Sequence, residues 1–128
     1  AVDVVEAVNH LLALLRLLPL QTRQLLLIAV KRSHPKNYQG MLIPRHFSPE
    51  EVDLVCGRDA TQTKPLYLAL MRSNLVWDVE ENETGLPLFA LKVPNCDWQL
   101  WDDLIEFDRT VPGSLERLII DLDASILD

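Results

Sequence analysis

Apolar residues recur at spacings of four, three, four and three from Val4 through Val8, Leu11 and Leu15 to Leu18. That rhythm predicts a helix over residues 2–18 with one continuous apolar stripe. Val5, Leu12, Leu14 and Leu17 widen the stripe beyond half the circumference. A helix of this kind is buried on several sides. Packing against a second copy, which makes a homodimer through this helix, would satisfy it, as would the centre of a monomeric core. Pro19 ends the run, and a second helix is predicted over Gln21–Lys31, with Leu25, Leu26, Ala29 and Val30 apolar. The polar stretch from Lys31 to Gly40 reads as a basic loop. Met41-Leu42-Ile43 reads as a short strand, and Pro44-Arg45-His46 as a lead-in to the next helix.

The stretch from Phe47 to Val93 carries the sharpest local signals. Ser48 is placed to cap a helix that starts at Pro49, with Glu51 at the capping-box position and Gly57 at its end. Val52, Leu54 and Val55 are expected to form its apolar face. A second helix is predicted over Thr61–Arg72, with Leu66, Leu70 and Ser73 on one face, Ala69 beside them, and Tyr67, Met71 and Arg72 flanking. Leu75–Val79 and Leu86–Val93 alternate as two strands around the acidic turn Glu80-Glu81-Asn82-Glu83-Thr84-Gly85. Beyond them, Asp97 is a candidate cap for an amphipathic helix bearing Trp98, Trp101, Leu104, Ile105 and Phe107. Val111-Pro112-Gly113 breaks it, and a last helix is expected from Ser114 to about Leu122.

Composition sharpens this outline. A length of 128 residues with 48% hydrophobic content suits one domain with a real core. The apolar N-terminal run holds Asp3, Glu6, Asn9, His10 and Arg16, too many polar groups for a membrane span. No membrane association and a cytoplasmic location are therefore expected. Cys56 and Cys96 lie too far apart for a C-x-x-C and fit buried free thiols. The net charge of −7 is unevenly spread: residues 1–75 hold nine Lys/Arg against six Asp/Glu, and residues 76–128 hold three against thirteen. Any surface that faces nucleic acid must come from the first part.

The order helix, helix, short strand, helix, helix, hairpin resembles winged helix-turn-helix domains. From Leu18-Pro-Leu-Gln-Thr-Arg-Gln-Leu-Leu-Leu-Ile-Ala through Phe47-Ser-Pro-Glu-Glu and Tyr67-Leu-Ala-Leu, the pattern is similar to the N-terminal winged helices of plasmid and phage replication initiators. The resemblance covers roughly Leu18 to Val93. It implies a mainly α fold with a small antiparallel hairpin (α+β): residues 2–18 as an N-terminal helix, 19–93 as the winged-helix core and 94–128 as acidic C-terminal helices of one domain. It also implies DNA binding in the regulation of transcription or replication.

On that reading Thr61–Arg72 is the recognition helix. Thr61, Gln62, Thr63 and Lys64 have the chemistry to reach base edges, and Tyr67 and Arg72 flank them. Lys31, Arg32, Lys36, Arg45 and Arg58 are the candidate phosphate contacts. The acidic wing points to a second reading, because bringing Glu80, Glu81 and Glu83 to a phosphate backbone costs like-charge repulsion. In that reading Glu80, Glu81, Glu83, Asp102, Asp103 and Glu106 hold a basic protein partner. Convergence of Arg23, Lys31, Arg32, Lys36, Arg45, Lys64 and Arg72 on one face would favour DNA, and scatter would favour the protein partner. No phosphate-cradling Gly-rich loop, G-x-S-x-G or H-E-x-x-H is present, and His10, His34 and His46 have no ligand spacing with the cysteines. No catalytic activity, metal or cofactor is expected.

Overall fold

The computed structural model describes residues 4–38, 41–79, 88–96 and 99–127, and the side chains of all of these but 36–38, 41–44, 126 and 127. It is mainly helical with one small antiparallel sheet. The elements in order are α1 (Val4–Leu15), α2 (Leu20–Arg32), β1 (His34–Tyr38), β2 (Met41–Phe47), α3 (Pro49–Cys56), α4 (Ala60–Arg72), β3 (Val76–Val79), β4 (Leu88–Leu91), α5 (Leu100–Thr110) and α6 (Ser114–Ile119), followed by a 3-10 turn at Ala124–Leu127.

Helix α2 is the centre of the molecule. Thr22, Leu25, Leu26, Ala29 and Val30 are all buried, at the i, i+3, i+4, i+7, i+8 spacing of one helical face. It touches α3, α4, α5, α6 and β2. Helix α1 buries Ala7, Val8, Leu11, Leu12 and Leu15 in the same core as α2, α4, α5 and α6. Each fully buried leucine there contributes about 2 kcal/mol. Most of the breadth of apolar surface on α1 is therefore covered within a single chain; Val4, Val5 and Leu17 stay exposed.

The sheet has the order β1-β2-β4-β3. Its first strand corrects the expectation of a basic loop. Lys31 and Arg32 finish α2, and His34–Tyr38 pairs antiparallel with β2, from His34↔His46 to Tyr38↔Met41. Pro35 sits where the register shifts, on an edge strand, where a missing N–H is tolerated. Strand β2 is also longer than Met41-Leu42-Ile43. It runs on to Phe47, and its His46 and Phe47, not the apolar triplet, pair with Ala90 and Phe89 of β4. Strands β3 and β4 pair over Val76–Val79 and Leu88–Leu91, and the acidic turn of residues 80–87 lies outside the described residues.

The helix starts follow the local signals closely. Ser48 Oγ accepts from Glu51 N at 3.4 Å, and Gly57 ends α3 at φ 67°. Leu54 and Val55, however, are not on its buried face. Pro49 and Val52 are buried with Cys56 half-buried, and Leu54 is 83% exposed. At 100° per residue Leu54 lies about 200° from Val52, so an eight-residue helix with one core contact cannot bury both. On α4 the buried stripe is Thr63, Tyr67 and Leu70, with Leu66 and Ala69 only partly covered. The Tyr67 ring sets this rotation by packing with Phe47 (6.1 Å between centroids) and edge-on to Phe89 (5.1 Å).

The C-terminal helices are shorter than their apolar runs. Asp97 and Trp98 lie outside the described residues, and α5 begins at Leu100. Helix α6 ends at Ile119. Its start is capped from a distance: Asp108 Oδ1 on α5 accepts from Leu115 N at 3.0 Å. No helix among the described residues is long and apolar enough to cross a membrane.

Candidate functional site

The start of α4 is built by a reciprocal cap. Asp59 accepts from Gln62 N, and Gln62 Oε1 accepts from Asp59 N at 3.0 Å. Thr61 Oγ1 also donates to the Asp59 carboxylate. These bonds, the Thr61 hydroxyl first, hold the Asp59 carboxyl below its ordinary pKa. Gln62 is thus occupied by the helix start. Thr63 is 1% exposed and Tyr67 5%, so both belong to the core and cannot serve as the surface contacts their chemistry suggested. Thr61, Lys64, Leu68 and Arg72 remain on one exposed stripe.

The expected phosphate contacts do not gather into a free basic face. Arg45, its side chain only 13% exposed, donates to Asp102 Oδ1 at 2.6 Å, to Ser33 Oγ at 2.9 Å and to the Ser33 carbonyl at 2.8 Å. Ser33 Oγ in turn donates to the Val30 carbonyl at 2.6 Å. Lys31 pairs with Glu116 and holds that carboxyl below its ordinary pKa. Arg23 donates to the carbonyls of Ile119 (3.1 Å) and Ile120 (2.5 Å), which close α6. A cation at a helix C-terminus meets both the dipole and the unpaired carbonyls. Arg32 pairs with Glu51 at 3.8 Å. Arg58 is half-buried, and the side chain of Lys36 is outside the described set.

Two ion pairs, Lys31–Glu116 and Arg45–Asp102, join the basic first half to the acidic second half across a seam made of α2, β2, α5 and α6. The same seam reduces the acidic set proposed for a basic partner. Asp102 is committed to Arg45, and Glu106 meets Arg109 at 3.4 Å on the surface. Asp103 is exposed, and Glu80, Glu81 and Glu83 lie outside the described residues.

Two cavities open on the helix–helix–hairpin unit. One, of about 370 Å³, lies against α2 and the end of α3, lined by Leu25, Leu27, Ile28, Ile120, Cys56 and Arg58 among others. Burial pushes the Cys56 thiol above its ordinary pKa, so little thiolate forms at neutral pH; Cys96 is raised for the same reason. Both cysteines are free thiols and half-buried. The other cavity, of about 350 Å³, lies between α3, α4 and the β3–β4 pair. Its wall includes Tyr67 and Asp53. Asp53 is not among the site residues expected from the sequence, although it is the lone polar side chain in the run Val52-Asp53-Leu54-Val55.

Among the described residues no group of three or more His, Cys, Asp or Glu could hold a metal ion. Compared with known proteins, the chain matches no family model, no curated protein and no solved structure.

Proposed function

We propose that the chain is a winged-helix protein-interaction module whose net acidic surface holds a basic partner. The order α2, β2, α3, α4, β3, β4, with β2 paired to β4, supports the winged-helix reading. The observation that carries the functional reading is the internal use of cations. Arg23, Lys31 and Arg45, three of the residues suited to phosphate, are spent on the chain's own C-terminal half. The chain as a whole carries a net charge of −7, which attracts a basic partner.

The test is fluorescence anisotropy of a labelled oligolysine peptide and of a labelled pool of duplex DNA, each at low and near-physiological salt. The expected result is peptide binding that weakens with salt, weakens further when Asp103 and Glu106 are changed to Lys, and is lost when Glu80, Glu81 and Glu83 are reversed as well. Duplex binding that falls steeply with salt would overturn it. A second reading, a sequence-specific DNA-binding regulator of transcription or replication, is favoured by the exposed Lys64 and Arg72 on one stripe of α4. It requires duplex binding that disappears in the double variant Lys64→Ala, Arg72→Ala.

A further inference from the structure

The cavity between α3, α4 and the β3–β4 pair brings two buried polar atoms without a hydrogen bond onto one wall. Tyr67 is 5% exposed, and its hydroxyl has no hydrogen-bond partner among the described residues. Asp53 Oδ1 is buried and also lacks one. The two side chains are neighbours: the Asp53 carboxylate lies close enough to act on the Tyr67 hydroxyl as an acceptor, although the contact does not meet the distance and angle of an ordinary hydrogen bond. Burial raises the Tyr67 pKa first, and the nearby Asp53 carboxylate raises it further. Burying an unpaired hydroxyl and carboxylate oxygen is costly, and native interiors rarely do it without a reason. Both residues line a cavity of about 350 Å³, within the range of small-molecule sites, whose walls are mostly apolar with a few polar groups.

The charge of the lining selects the ligand. Asp53 and Asp78 contribute two carboxylates against the single ammonium of Lys64. Phe89 and Tyr67 offer aromatic surface, which attracts cations through the ring face. Leu68 and Met71 supply apolar wall for a hydrocarbon body. We propose that this cavity binds a small organic ammonium ion with an apolar or aromatic body, its charged head on Asp53 and its contacts completed by the Tyr67 hydroxyl. This site is independent of the partner-binding surface proposed above and stands whichever macromolecule the chain binds.

The probe is 2-phenylethylammonium, compared with neutral 2-phenylethanol and anionic 3-phenylpropanoate. Each is titrated into the isotope-labelled chain and followed by amide chemical shifts. The expected result is a saturable response to the cation at Asp53, Lys64–Met71 and Phe89, with the neutral and anionic probes weaker by about tenfold or more. Asp53→Asn should weaken the cation by a similar factor while the spectrum stays that of the folded chain. Tyr67→Phe should also weaken it while the spectrum stays that of the folded chain, because the variant keeps the buried ring and removes only the hydroxyl. No saturable response to the cation, an equal response to all three probes, or a response unchanged in Asp53→Asn would each overturn the proposal.

Discussion

The Arg45 and Arg23 contacts of the seam and the wall of the cavity beside α4 treat polar groups in opposite ways. At the seam Arg45 spends three donors on three acceptors, and Arg23 closes the open carbonyls of α6. At the cavity the Tyr67 hydroxyl and Asp53 Oδ1 have no partner among the described residues. The charged residues of the first half thus serve architecture. They hold the acidic C-terminal helices onto the middle of the chain. His10 Nε2 and Glu116 Oε2 are also buried without a hydrogen bond, but Tyr67 and Asp53 stand side by side on one cavity wall, where a ligand could pair with both.

Variants that separate the Tyr67 ring from its hydroxyl test this contrast most strongly. Tyr67→Ala should lower stability by about 3–5 kcal/mol, because it empties the aromatic cluster with Phe47 and Phe89. A loss below about 1 kcal/mol in urea unfolding would mean that the cluster is not part of the core. Next comes the seam. Arg45→Ala should cost about 2 kcal/mol, since it strands the Asp102 carboxylate and the Ser33 carbonyl. If the midpoint were unmoved at constant urea slope, the seam would be ornamental. Tyr67→Phe is smaller and opposite in sign. Removing a hydroxyl with no partner should raise stability by about 1 kcal/mol, and a clear loss would show that the hydroxyl is satisfied after all.

The smallest effect belongs to the exposed pair Lys31–Glu116, worth about 0.5 kcal/mol or less. Its signature is the pH dependence. Lys31 lowers the Glu116 pKa, so the folded state binds that proton less readily than the unfolded state. The stabilisation is complete above the unfolded carboxyl value and is lost as pH falls through the lowered folded value. Lys31→Met should therefore flatten the acid limb of stability measured between neutral pH and about pH 3. An identical limb in the variant would show that the pair does not persist in solution.

Local features of the chain were legible before any tertiary contact. The stripe of α1, the cap of α3 at Ser48, its end at Gly57 and the two strands of the β3–β4 hairpin follow from periods and backbone preferences that act within a few residues. The interior position of Tyr67 was less legible, because neighbouring stripes on a helix differ by one residue and only contact with Phe47 and Phe89 selects between them. Strand β1 was hidden for a related reason. His34-Pro35-Lys36-Asn37-Tyr38 has little strand character of its own and is extended because β2 supplies its hydrogen bonds.

The cap and stop of α3, the break at Pro19 and the split into a basic and an acidic half were written along the chain. The use made of the charges was not, and came from packing alone. Arg45 meets Asp102 across 57 positions and Lys31 meets Glu116 across 85. No period or cap encodes such a distance, because those pairings depend on how the helices pack. The same packing set an unpaired phenol and a carboxylate beside one cavity.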